Sequence, residues 1–277
     1  MNKKKMSDNS NNQTKEYTRR LVIVTGDKGG VGKSTFSRAL LQTYLDTNQN
    51  FAAFDADTSN PQIKRFYEDE CSVSPVDIFK RGEADGLLDE LKDLIQPTTK
   101  ENGEVVAPGK SLFLLELPPQ SIHFFRLFEE EIGFFSRVEK NLDMRITMAA
   151  VINRTKDSVN QLSHLRGFCG DRVDYVVVKN LFFGSNDSFE RYDNSPLVKE
   201  LSEANKSMPE ICMPDLIARA YDYLDENNYS FAKGIEQSEK LSVQARIEKW
   251  MENFQSSIEP VKHLLGLKDV SLQQPST

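Results

Sequence analysis

The sequence predicts an open α/β fold, a doubly wound, mostly parallel sheet with helices on both faces. Three observations predict it. Short apolar runs recur at 21–25, 51–54, 112–115, 146–152, 175–178 and 211–213, as expected of strands covered on both sides. Segments of helical spacing separate them, and strand–helix alternation implies right-handed crossovers and a parallel sheet. The unusual residues stand at the ends of these runs, where open α/β sheets hold their ligands.

Each element follows from its own pattern. Leu21-Val22-Ile23-Val24-Thr25 reads as a buried strand and leads into a glycine-rich turn. From Lys33 to about Asp46, Phe36, Leu40, Leu41, Tyr44 and Leu45 lie at helical spacing. Phe51-Ala52-Ala53-Phe54 is the second strand and stops at Asp55-Ala56-Asp57. Residues 86–95 carry Leu87, Leu88, Leu91, Leu94 and Ile95 at helical spacing. Two prolines and two glycines among charges make 97–110 a surface loop. Leu112-Phe113-Leu114-Leu115 is a third strand, and it ends at Glu116-Leu117-Pro118-Pro119. A helix is predicted over about 120–140, then strands at 146–152, 175–178 and 211–213, with helices near 157–168 and 197–205. Residues 241–265 carry a last apolar stripe that Pro260 should divide, and which reads as a helix docked on the core.

Bulk properties narrow the function. The 277 residues suffice for a buried core, and the chain is expected to divide into a disordered polar tail at 1–18, one domain at 19–267 and a second disordered tail at 268–277. No window approaches the length of a membrane span, and Met1-Asn2-Lys3-Lys4-Lys5 is followed by no apolar stretch of a secretory signal. A cytoplasmic protein without membrane attachment is expected. Three scattered cysteines support neither a disulfide framework nor a thiolate metal site. The net charge of −7 gives no support for tight duplex binding, while the basic residues of the first tail leave nonspecific DNA contact open.

The turn after the first strand is Gly26-Asp27-Lys28-Gly29-Gly30-Val31-Gly32-Lys33-Ser34-Thr35. A strict G-x-x-x-x-G-K-[ST] phosphate loop needs glycine at position 27, where aspartate stands. The physics survives the change. Glycines let backbone N–H groups turn toward phosphate oxygens, and the following helix adds the positive end of its dipole. Lys33 supplies a cation for the β- and γ-phosphates, and the Ser34 hydroxyl a ligand for Mg²⁺.

Lys28-Gly29-Gly30-x-Gly32-Lys33-Ser34 resembles the deviant Walker A loop of the ParA/MinD superfamily of ATPases. The resemblance implies a P-loop NTPase fold of the SIMIBI type, ATP and Mg²⁺ as cofactors, and a homodimer with ATP sandwiched between its subunits. Lys28 would then reach the partner's phosphates. Gly29, Gly30, Val31, Gly32, Lys33, Ser34 and Thr35 would bind nucleotide, and Lys28 and Lys33 would act in catalysis. Asp55-Ala56-Asp57 resembles the family's D-x-D motif, with Pro61-Gln62 displaced by three residues; Asp57 would orient the attacking water and Asp55 support the Mg²⁺ shell. The strand ending at Glu116-Leu117-Pro118-Pro119 resembles a Walker B segment with glutamate in place of aspartate, so Glu116 would hold Mg²⁺, with hydrolysis slowed. Asn180, after the run Val176-Val177-Val178-Lys179, and Pro214, after Met213, match the family's adenine contacts; ordinary strand-ending turns carry the same residues.

Glu116-Leu117-Pro118-Pro119-Gln120, Val178-Lys179-Asn180-Leu181-Phe182-Phe183-Gly184 and Phe189-Glu190-Arg191-Tyr192-Asp193-Asn194-Ser195 are similar to the StbB/TraL-type branch, ATPases of mobile elements associated with plasmid stability or conjugation. That resemblance implies partition, positioning or conjugative transfer of DNA or a protein cargo, with hydrolysis stimulated by an activating partner. Two other readings remain on residues alone: a metabolic, amidoligase-like enzyme of the same fold, and a nucleotide-binding scaffold with little hydrolysis.

Overall fold

The computed structural model describes residues 17–26, 28–78, 82 and 85–268. Its centre is a seven-stranded sheet ordered β3-β2-β6-β1-β7-β8-β9, every neighbouring pair parallel. The strands are β1 (Arg19–Thr25), β2 (Phe51–Asp55), β3 (Val73–Pro75), β6 (Leu112–Glu116), β7 (Met144–Ile152), β8 (Asp174–Asn180) and β9 (Glu210–Met213). The doubly wound parallel sheet read from the sequence is therefore the fold.

Strand β1 shows why the runs are continuously apolar. Leu21 and Ile23 pack into one hydrophobic cluster, while Val22 and Val24 pack into another on the opposite face. Alternate side chains of a strand point to opposite faces, so a strand covered on both sides needs apolar residues at every position. Helices α3 (Asp85–Leu94), α4 (Ile122–Ile132), α5 (Phe134–Asn141), α6 (Lys156–Cys169) and α8 (Pro196–Glu203) contribute to the first cluster. Helices α1 (Lys33–Asp46), α2 (Gln62–Tyr67), α9 (Ala218–Asn227), α10 (Phe231–Glu236) and α11 (Leu241–Ile258) contribute to the second. Between β8 and α8 lies the single turn α7 (Glu190–Asp193).

Several expectations are corrected. The loop at 97–110 contains an antiparallel pair, β4 (Thr98–Thr99) with β5 (Val105–Ala107). The helix expected over 120–140 is two helices, because Gly133 adopts φ 66° and caps α4 through its N–H on the Glu129 carbonyl. Helices α2, α9 and α10 and strand β3 lie in stretches for which no element was expected. They are short, and tertiary packing rather than local pattern holds them.

Pro260 divides the last segment as expected: α11 ends at Ile258 and a 3₁₀ turn covers Glu259–Leu265. Val243, Ile247, Trp250, Met251, Phe254 and Ile258 of α11 are buried, so this helix docks on the core. Tyr44 Oη and Thr147 Oγ1 then donate to the Leu265 and Leu264 carbonyls, each at 2.6 Å, and tie the end of the turn to the sheet. The tails assigned to 1–18 and 268–277 lie outside the described residues except for Tyr17, Thr18 and Lys268. Tyr17 and Thr18 are fastened to the domain: their hydroxyls donate to Glu139 at 2.6 Å and Asp143 at 2.8 Å. No helix among the described residues is long and apolar enough to cross a membrane.

Candidate functional site

The loop between β1 and α1 stands at the carboxyl edge of the central strand. Gly30 and Gly32 take φ of 75° and 102°, conformations that L side chains rarely adopt. A Cβ on Gly32 would lie 2.3 Å from Asn180 Nδ2, and one on Gly26 would lie 2.6 Å from the Val151 carbonyl oxygen. The backbone N–H groups of Gly29, Gly30, Val31, Gly32, Ser34 and Thr35 donate no hydrogen bond to the described residues. Successive amide donors without internal acceptors form a concavity for an anion, and the N-terminus of α1 reinforces it. Asp27, the departure from the strict loop pattern, lies outside the described residues.

Lysine placement matches the loop's geometry. Lys33 is buried, and its ammonium donates to the Gly26 carbonyl at 2.9 Å, folded back across the loop it would serve. Lys28 is exposed on the lip, as are Gly29 and Gly30.

The acids divide by role. Strand register sets Asp55 beside Glu116 across β2 and β6. Glu116 is buried and accepts from Ser34 Oγ at 2.5 Å, while its Oε2 has no hydrogen-bond partner. Burial, with Asp55 acting the same way, raises its pKa to about 7. Asp55 is also buried, and burial raises its pKa to about 6 against the pull of backbone amides. Those amides explain its position: Oδ1 accepts from Asp57 N at 3.1 Å, and Oδ2 from Ile63 N at 2.9 Å and Lys64 N at 3.3 Å. Asp55 thus caps the start of α2 through Oδ2 and holds the turn at Asp57 through Oδ1, so backbone amides occupy both oxygens. Asp57 lines the cleft and forms a turn of its own, accepting from Ser59 Oγ at 2.7 Å and Asn60 N at 3.1 Å.

Beside the loop opens a cleft of about 720 Å³. Lys33, Ser34, Thr35, Asp57 and Glu116 line one end, and Asn180 and Pro214 line it further along. Of the expected residues, Gly30, Gly32, Lys33, Ser34, Thr35, Asp57, Glu116, Asn180 and Pro214 line this cleft, while Lys28, Gly29, Val31 and Asp55 do not. Asn180 ends β8 opposite Met213, and its Nδ2 donates to the Val31 carbonyl at 2.8 Å, locking the loop to the strand end. Pro214 is steadied by Trp250, whose Nε1 donates to its carbonyl at 2.9 Å. Sequence reasoning missed Arg65, Phe182, Tyr221 and Asp225, all on the cleft wall. Arg65 joins α2 to α9 through Asp225, donating to its carbonyl at 2.8 Å and pairing with its carboxylate at 3.3 Å. Ala220 and Leu224, buried at i,i+4 spacing, were the available signal for α9.

A cation fits the loop end of this cleft. Glu116 Oε2 is a buried acceptor without a donor, next to the Ser34 hydroxyl. No group of three or more His, Cys, Asp or Glu among the described residues is arranged to hold a metal. That donor set suits Mg²⁺, which takes one or two protein ligands and fills its octahedron with water and phosphate oxygens.

A parallel sheet with an amide cradle after its central strand, a lysine folded into that cradle and a serine–carboxylate pair beneath it defines a P-loop nucleotide-binding protein. Residues 22–193 match the CobQ/CobB/MinD/ParA nucleotide binding domain, and the chain belongs to that family. It is 23% identical to protein MobD of Acidithiobacillus ferrooxidans over 252 residues, covering 88% of this chain and 98% of MobD. Among solved structures it is similar to the MinC:MinD cell division protein complex of Aquifex aeolicus, at TM-score 0.47 and 13% identity over 86% of this chain and 96% of that one. A Cyanothece McdA variant in complex with ATP gives TM-score 0.46 and 14% identity, covering 92% and 99% of the two chains.

Proposed function

We propose that residues 19–267 form an ATP-binding and slowly hydrolysing dimeric switch of the ParA type, which acts in the cytoplasm in partition, positioning or conjugative transfer of a DNA or protein cargo. The observation that carries this reading is the cradle of N–H groups of Gly29, Gly30, Val31, Gly32, Ser34 and Thr35, with Lys33 folded against it and Lys28 exposed on its lip. A triphosphate laid along the loop would receive those amides. Lys33 would exchange the Gly26 carbonyl for β- and γ-phosphate oxygens. Ser34 and Glu116 would hold Mg²⁺, which neutralises charge on the transferring phosphoryl group when bound.

Asp57 is a carboxylate on the cleft wall and would orient the attacking water. Slow turnover follows from Glu116. Its carboxylate sits directly on Ser34, so it would have to release Ser34 before it serves a cation. An activating partner would speed that step. Lys28 is exposed beside the cleft; on this reading it would meet a second subunit's nucleotide and link ATP to dimer formation. The StbB/TraL-like motifs support this reading over an amidoligase-like metabolic enzyme.

Light scattering with and without ATP and Mg²⁺ tests the proposal. Wild type should dimerise only with ATP. Lys28→Ala should bind ATP yet stay monomeric, and Lys33→Ala should do neither. Equal dimer formation by Lys28→Ala would overturn the switch. The scaffold reading rests on the same Glu116 geometry, and an absence of phosphate release even with plasmid DNA and cell partners present would favour it.

A further inference from the structure

We infer that Arg65 is a second phosphate-binding cation of the cleft, fastened to α9 and facing Asp225 until a nucleotide phosphate takes that carboxylate's place. This rests on the nucleotide-binding reading above and adds to it a residue that the loop motif does not contain.

The cleft is short of positive charge. Among the described residues that line it, Asp57, Glu116, Asp222 and Asp225 are carboxylates, and Lys33 and Arg65 are the cations. A triphosphate brings further negative charge to this acidic lining, and like charges repel. Lys33 belongs to the loop, where it lies against the Gly26 carbonyl. Arg65, on α2, is the other cation that a phosphate chain in this cleft can meet. A planar guanidinium also matches phosphate oxygens with paired N–H groups, which an ammonium does not.

Arg65 is fixed on one side and open on the other. Its Nε donates to Asn228 Oδ1, and its Nη2 donates to the Asp225 carbonyl at 2.8 Å. Asn228 is itself held, since it closes α9 at φ 54° with its N–H on the Asp225 and Leu224 carbonyls. These two bonds use two of the five guanidinium N–H groups. Nη1 faces the Asp225 carboxylate as an ion pair at 3.3 Å, with the two side chains 36% and 40% exposed. An ion pair this open to water contributes little, whereas a phosphate offers more charge and two oxygens to one fork. The exchange therefore favours phosphate, and the bonds to α9 hold the guanidinium ready for it.

Arg38 keeps Asp225 balanced during that exchange. It is 2% exposed on α1, and its guanidinium lies 3.4 Å from the centroid of Phe66, a ring that also carries Arg65 at 4.8 Å. Its Nε has no hydrogen-bond partner, and its Nη2 donates to the Tyr229 carbonyl at 3.3 Å. Burial lowers its pKa, and Tyr67, Tyr221 and Asp225 oppose that shift. The charge of Asp225 thus bears on two arginines, and one of them stays with it when Arg65 turns to a phosphate.

Titration calorimetry of the full chain with ATP and Mg²⁺, beside melting curves, tests this. Arg65→Ala should weaken ATP about ten- to a hundredfold, the worth of hydrogen bonds to a charged group. Arg65→Gln, which keeps a polar side chain without the charge, should weaken it as well. Asp225→Ala removes the ion pair but keeps the cation, so it should bind ATP as tightly as wild type or up to about fivefold tighter. A bridge that only joined α2 to α9 would make Arg65→Ala and Asp225→Ala weaken ATP alike, because each cuts the same pair. That equal loss, or a folded Arg65→Ala variant that binds ATP like wild type, would overturn the inference. Failure of wild type to bind any nucleotide would instead sink the switch on which it rests.

Discussion

Replacing Glu116 by glutamine should stabilise the nucleotide-free protein while weakening its hold on a magnesium nucleotide. Glu116 is buried, and burial, followed by the repulsion of Asp55, raises its pKa from 4.5 to about 7. A shift of that size corresponds to about 3 kcal/mol between the two protonation states, an upper bound for the cost of the buried charge. The folded pKa lies above the unfolded one. The contribution to stability is therefore fully present below about pH 4.5 and is lost as pH rises through about 7. Glutamine keeps the shape and still offers Oε1 to the Ser34 hydroxyl. Its Nε2 would replace the buried, unpartnered Oε2 with an uncharged group. Thermal unfolding in chelator, without nucleotide, should show the variant stabilised at pH 8 by about 1–3 kcal/mol, or roughly 2–10 °C. At pH 5 the gain should shrink to under about 1 kcal/mol, because the wild-type group is then protonated in the fold. The same variant should bind ATP with little dependence on Mg²⁺. A variant no more stable than wild type at pH 8, or a gain that does not shrink toward pH 5, would refute the buried-charge argument.

Other perturbations probe different parts of the chain. Gly32→Ala forces a side chain to φ 102° with its Cβ 2.3 Å from Asn180 Nδ2, so ATP binding should be lost at a stability cost of about 1–3 kcal/mol; calorimetry beside a melting curve separates the two effects. Gly266→Ala, at φ 76° and 2.2 Å from Leu112 Cδ1, should cost about 1–3 kcal/mol and leave ATP affinity unchanged, because Leu112 begins β6 at the end opposite Glu116. Asp174 accepts from Arg20 at 2.7 Å and from Arg145 at 3.0 and 2.8 Å. Burial alone would raise its pKa, but the two arginines outweigh burial and lower it. Its contribution is thus present above the ordinary carboxylate range and lost as pH falls below roughly 4. Asp174→Asn should lower stability at pH 7 by about 1–3 kcal/mol and flatten the acid limb of the unfolding profile.

Local pattern alone determined the class of this protein. The apolar runs, their helical spacers and Lys28-Gly29-Gly30-x-Gly32-Lys33-Ser34 are all neighbours in the chain, and periodicity and backbone conformation are properties of neighbours. They yield the doubly wound sheet, the phosphate loop and the acids at the strand ends. Tertiary structure decided which of those residues touch. Asp55 and Asp57 are equivalent in a D-x-D motif. Once Asp55 ends a strand that packs against α2, it is consumed as a cap, while Asp57 is left on the cleft wall. Asn180 looked like a base contact, yet most of its amide is spent tying Val31 and Phe182 together across 149 and 2 residues of sequence. Helices α2, of six residues, and α9, with Ala220 and Leu224 as its one apolar pair at helical spacing, supply Arg65 and Asp225. The physical reason is the strand order. Setting β6 between β2 and β1 brings Glu116 against Asp55 and Ser34, and no window of sequence carries the separation of 82 residues between Ser34 and Glu116.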